Sequence, residues 1–80
     1  MTRENILKKL EEIFREVLDD EEIQLSEKTV LRDINNWDSL QNIHILVAIE
    51  EEFGVRVSVE KAASLEMIDQ IIDVILWRKQ

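Results

Sequence analysis

Asp38-Ser39-Leu40 is the place in this 80-residue chain where residue type and setting together could do chemistry. It stands where residues 19–37, which have no sustained period, meet an apolar run that begins at Leu40. A helix starting there offers free backbone N–H groups and the positive end of its dipole, and both favour an anion. A serine hydroxyl at that junction can carry a phosphate ester that the helix end tolerates. The plain alternative is a cap: Asp38 is a good N-cap, and Gln41, three residues on, resembles the return partner of a capping box.

Nucleophilic catalysis finds no support around Ser39. His44 lies five residues further, about 140° around a helix, so it does not face the serine. A Ser-His-acid triad is not expected, and His44 reads as a polar surface residue. With one His and no Cys, a structural zinc site and a disulfide framework are both excluded.

The elements that must position Ser39 follow from periodicity. Ile6, Leu7, Leu10, Ile13, Phe14, Val17 and Leu18 form one stripe, which predicts a helix over residues 3–18 with Thr2 as N-cap. Asp19-Asp20-Glu21-Glu22 is a solvated exit from it. Ile23, Leu25, Val30, Leu31 and Ile34 are scattered anchors that pin a long loop across the helix ends, with a short turn starting at Ser26 or Thr29. The second helix begins near Asp38-Ser39, is apolar around much of its circumference, and ends at Gly54. Residues 55–59 alternate like a strand but have nothing to pair with, so they read as an extended connector. Ser58 caps a short helical turn to about Ala63, and a last helix covers residues 66–78, with Trp77 closing one end. The expected fold is all-α: one domain over residues 1–80, a four-helix bundle with three longer helices, one short helix and a long first loop.

Composition agrees. Hydrophobic residues make up 45% of the chain, there is no proline, and Gly54 is its single glycine. Such a chain has few obligatory breaks and favours helices. The formal net charge of −8 argues against nucleic acid or an anionic membrane as partner and favours basic protein surfaces. No run approaches the roughly 20 apolar residues of a membrane span, and no signal peptide is visible, so a cytoplasmic monomer is expected.

The stretch Trp37-Asp38-Ser39-Leu40, then Ile43, Ile45-Leu46-Val47-Ala48-Ile49-Glu50-Glu51-Glu52-Phe53-Gly54-Val55, resembles acyl carrier proteins. Thr29-Val30-Leu31-Arg32-Asp33 is similar to the loop leading to that family's modified serine, and the similarity extends over essentially the whole chain. The resemblance implies a carrier and not an enzyme. A phosphopantetheinyl transferase would move 4′-phosphopantetheine from coenzyme A onto Ser39, and the arm's thiol would hold an acyl or aminoacyl group as a thioester. Asp38 matches the acidic residue that positions the loop or the transferase's metal. By the same match Leu40 and Val47 would give apolar contacts to loading and acyl-transfer enzymes, and Glu50 and Glu51 would flank them with negative charge. Ile43, Leu46, Ile49 and Phe53 would line the core. Gln41 and His44 stand on the partner face where fatty-acid carriers usually have acids, and Asn36-Trp37 replaces a Gly-Ala type lead-in. These departures point to a specialised pathway, such as polyketide, peptide or modified-sugar synthesis. An aminoacyl carrier (D-alanyl or peptidyl) is the alternative within the family, and a non-catalytic helical interaction module is the alternative outside it.

Overall fold

A computed structural model describes residues 1–79. It is all-α, with α1 at Arg3–Val17, α2 at Ser39–Phe53, α3 at Val59–Ser64 and α4 at Ile68–Lys79, and a 3₁₀ turn at Leu31–Asp33 in the long first loop. Among the described residues, extended pairing amounts to one isolated antiparallel bridge between Val30 and Met67. No described helix is long and apolar enough to cross a membrane.

The first three helices begin where a capping side chain stands. Thr2 accepts a hydrogen bond from the Asn5 N–H at 3.1 Å and opens α1. Ser58 accepts from the Lys61 N–H at 3.0 Å and opens α3. Gly54 closes α2 at φ 65°, a left-handed conformation that costs a residue without Cβ nothing. The periodic stripes then meet in one core. Ile6, Leu10 and Phe14 of α1, Ile45, Ile49 and Phe53 of α2, and Ile68, Ile72 and Ile75 of α4 are buried, with Leu31 inserted from the loop. Each such side chain contributes about 1.5–3 kcal/mol relative to exposure.

The first loop is held by polar ties from α1. Leu25 donates its N–H to Glu11 Oε2 at 2.9 Å, and Arg15 Nε donates to the Ile23 carbonyl at 2.8 Å. Arg3 Nη2 reaches Glu27 Oε1 at 2.7 Å, while its Nη1 reaches Asp73 Oδ1 on α4 at 2.6 Å. Hydrogen bonding to Glu27, then to Asp73, raises the Arg3 pKa above its ordinary value. Ser26 and Thr29 close a turn: the Thr29 N–H donates to the Ser26 carbonyl at 3.1 Å, and Thr29 Oγ1 accepts from the Ser26 N–H at 2.9 Å.

Three details differ from the periodicity. The last helix starts at Ile68 and not at residue 66, because the 66–67 segment is extended against the first loop: the Leu31 N–H donates to the Glu66 carbonyl at 2.9 Å, and Met67 pairs with Val30. Ile43 was expected in the core but is 47% exposed. It sits three residues after Leu40 and four before Val47, so it belongs to their outward stripe, while Ile45, Leu46, Ile49 and Phe53 form the inward one. Trp77 does not close the bundle; it is 71% exposed.

Candidate functional site

Ser39 is the first residue of α2 and is exposed. Two features set its position. Asn36 takes φ 67°, a left-handed conformation that Asn tolerates better than most residues, and the Trp37 N–H closes a turn onto the Ile34 carbonyl at 3.2 Å. Asp38 then runs extended at φ −151° and ψ −178°. Its Oδ1 accepts from the Gln41 N–H at 2.8 Å and its carbonyl from the Asn42 N–H at 2.9 Å. The amides of Ser39 and Leu40 precede the first intrahelical donor and point out of the helix end beside the serine hydroxyl. The capping role of Asp38 therefore coexists with a free Ser39.

Ser39 heads a groove of about 230 Å³ between α2 and α3, lined by Trp37, Asn42, Ile43, Leu46, Val59, Ala62, Ala63 and Leu65. The groove continues into the core. Asn42, Leu46, Ala62 and Leu65 also border an interior cavity of about 20 Å³ that reaches Ile49, Val57 and Ile75. That cavity has room for about one water.

The residues that the sequence suggests for a partner face fall into three settings. Leu40 and Val47, at 62% and 48% exposure, form with Ile43 one apolar stripe along α2, and Val59 of α3 extends it at 65%. Gln41 is half-buried with Oε1 3.2 Å from His44 Nδ1, and His44 and Glu51 line a separate depression between α1 and α2 with Glu16 and Glu52. Glu50 turns inward: its Oε2 accepts the Val57 N–H at 2.8 Å and ties the α2–α3 connector to α2. His44 and Ser39 line different depressions. Among the described residues no group of three or more His, Cys, Asp or Glu could hold a metal ion.

Sequence reasoning missed Asn42, Val59 and the structural role of Glu50. Asn42 is a polar residue within an apolar run, a signal that was available. Val59 and the groove itself arise from α2 meeting α3, which no local pattern reveals.

The comparisons with known proteins agree with this geometry. The family described as "Phosphopantetheine attachment site" matches residues 8–75. An acyl carrier protein of Cyanidioschyzon merolae is 34% identical over 80 residues, covering 100% of this chain and 88% of that protein. One from Thermosynechococcus vestitus is 34% identical over 76 residues, covering 94% and 93%. The crystal structure of an acyl carrier protein from Thermotoga maritima superposes with TM-score 0.85 at 21% identity, over 96% of this chain and 89% of that one, and shares the fold. The solution structure of a holo acyl carrier protein from Geobacter metallireducens superposes with TM-score 0.81 at 29% identity, over 91% and 84%.

Proposed function

Because the chain belongs to the acyl carrier protein family, we propose that Ser39 is the residue that takes the 4′-phosphopantetheine arm and that the loaded protein serves a specialised pathway. As a member it is a carrier and not a catalyst, and its cofactor is covalent 4′-phosphopantetheine. The observation that carries the Ser39 assignment is its position: an exposed hydroxyl on the first residue of α2, at the head of a groove that leads to the core.

The residues present fit the group. The free amides at the start of α2 favour a phosphodiester on Ser39 Oγ, at a helix end whose dipole stabilises negative charge. Asp38 satisfies the cap, so Ser39 is not needed for it. The groove beside Ser39, of about 230 Å³, is lined by Trp37, whose indole N–H is buried without a partner. Bound there, the arm supplies a terminal thiol that carries an acyl or aminoacyl group as a thioester; the chain itself has no Cys.

Partner recognition then falls to the face around Leu40, Ile43, Val47 and Val59. Exposed apolar residues of this size mark a contact surface. The net charge of −8 favours basic docking surfaces on the transferase and on acyl-handling enzymes. Gln41 and His44 make this face less acidic than that of fatty-acid carriers, which supports a specialised pathway, with the protein acting as a cytoplasmic monomer. Gln41→Asp with His44→Glu should raise the loading rate by fatty-acid enzymes several-fold, because each change adds negative charge beside the apolar contacts. Intact-mass measurement of loading rates reads this directly. Equal rates for both proteins overturn the pathway assignment, and loading by adenylating enzymes alone identifies an aminoacyl carrier.

A further inference from the structure

The indole nitrogen of Trp37 is buried and has no hydrogen-bond partner among the described residues. An indole N–H is a donor only, and leaving it unmade in a protein interior costs about 1–3 kcal/mol. The ring is half-buried, packs against the core and forms part of the wall of the groove that Ser39 heads. Trp37 and Ser39 flank Asp38, whose backbone is extended, and both line this groove.

The groove's lining states what chemistry it accepts. Apart from Ser39, Asn42 and the indole, it is built of Ile43, Leu46, Val59, Ala62, Ala63 and Leu65, with no cation. A phosphodiester drawn into it would lose its hydration with nothing to replace it. A neutral amide carbonyl loses much less and needs one donor.

We propose that Trp37 is a positioning residue for the arm: its indole N–H donates to an amide carbonyl of the pantetheine portion when the arm lies back along the α2–α3 groove. The charged phosphodiester stays at the mouth against the first amides of α2, and half-buried Asn42 lines the same groove. The proposal requires the indole to turn so that its N–H, buried without a partner, faces the groove. The proposal rests on Ser39 as the attachment residue.

The test uses the full chain before and after treatment with coenzyme A and a phosphopantetheinyl transferase, with ¹⁵N-labelled tryptophan. Trp77→Phe assigns the two indole signals, and in the native chain the exposed Trp77 serves as internal control. Intact mass comes first: absence of a mass gain at Ser39 removes the attachment reading, and this proposal with it. Given the mass gain, the expected result is a downfield shift of the Trp37 indole proton in the modified protein and solvent exchange slower by about tenfold, with Trp77 unchanged. Trp37→Phe keeps an aromatic, though smaller, side chain and removes the N–H. It should still be modified, and the arm should lose its nuclear Overhauser contacts to Ala62 and Ala63. A Trp37 indole signal identical in the two forms overturns the proposal and assigns the N–H an ordered water or none. An arm that keeps the same contacts in Trp37→Phe overturns it too.

Discussion

The two sides of the bundle are built differently. Where α1, the first loop and α4 meet, polar ties cross between elements: Arg3 to Glu27 and Asp73, Glu11 to Leu25, Arg15 to Ile23, and the loop's backbone to residues 66–69. Where α2 faces α3, a six-residue helix with a single buried side chain, Ala62, lies across a groove and a small cavity. Glu50 holds the start of that helix through Val57, and the Leu31–Glu66 hydrogen bond holds the segment after it. Exposed apolar residues gather on this second side. A loop of this length stays ordered because side chains clasp it. A short helix with few buried contacts is the element that can move, since local opening follows low contact density. The clasped side and the side that carries the groove beside Ser39 are thus separate.

Leucine truncation should show this contrast with the largest effect. Leu31 is a fully buried side chain of the clasped loop and Leu40 an exposed one of the open face. Leu31→Ala should cost about 2–5 kcal/mol in urea unfolding. Leu40→Ala and Val47→Ala should each stay within about 0.5 kcal/mol and slow the transferase instead. Large unfolding effects with unchanged rates per folded molecule would mean that the faces of α2 are reversed.

A smaller effect lies at the junction of the two sides. Asn36→Val places a β-branched residue at φ 67° and should cost about 1–2 kcal/mol, while Asn36→Gly should be close to neutral. Because this turn aims Trp37 and Ser39, the valine variant should also be modified more slowly at equal folded fraction. Equal stability of the two variants would show that the left-handed turn is not needed.

The smallest effect is local to the open side. Glu50→Ala removes the acceptor for the Val57 N–H, at a cost of about 1 kcal/mol. Hydrogen exchange at Val57 should quicken, with exchange in α1 unchanged, and Glu50→Gln should restore most of the protection. If exchange quickens throughout the bundle, α3 is not an independent element.

The helices were legible because their apolar residues recur at helical spacing and their caps stand in sequence: Thr2, Asp38, Ser58 and Gly54. The family resemblance, read from the Asp38-Ser39-Leu40 stretch and the run to Val55, agrees with the comparisons. Facing was less legible. In α2, apolar residues occupy both faces, so periodicity alone did not separate Ile43 from Leu46. Trp77 was expected to close one end because large aromatics are usually buried, yet it is 71% exposed. The start of α4 was misplaced by two residues because Glu66 and Met67 pair with residues more than thirty positions earlier, beyond any local window. Asn36 could have been flagged, since Asn stands where a Gly-Ala type lead-in is usual and is itself tolerant of the left-handed region.

The central claim is that Ser39 carries the arm while Asp38 alone caps the helix. The native chain and Ser39→Ala, each treated with coenzyme A, magnesium and a phosphopantetheinyl transferase, test it by intact mass, peptide mapping and circular dichroism. The account predicts a gain of one phosphopantetheine on the peptide containing Ser39, no gain in Ser39→Ala, and the same helical signal in both. A gain that persists in Ser39→Ala, or a collapse of its helical signal, would contradict the account.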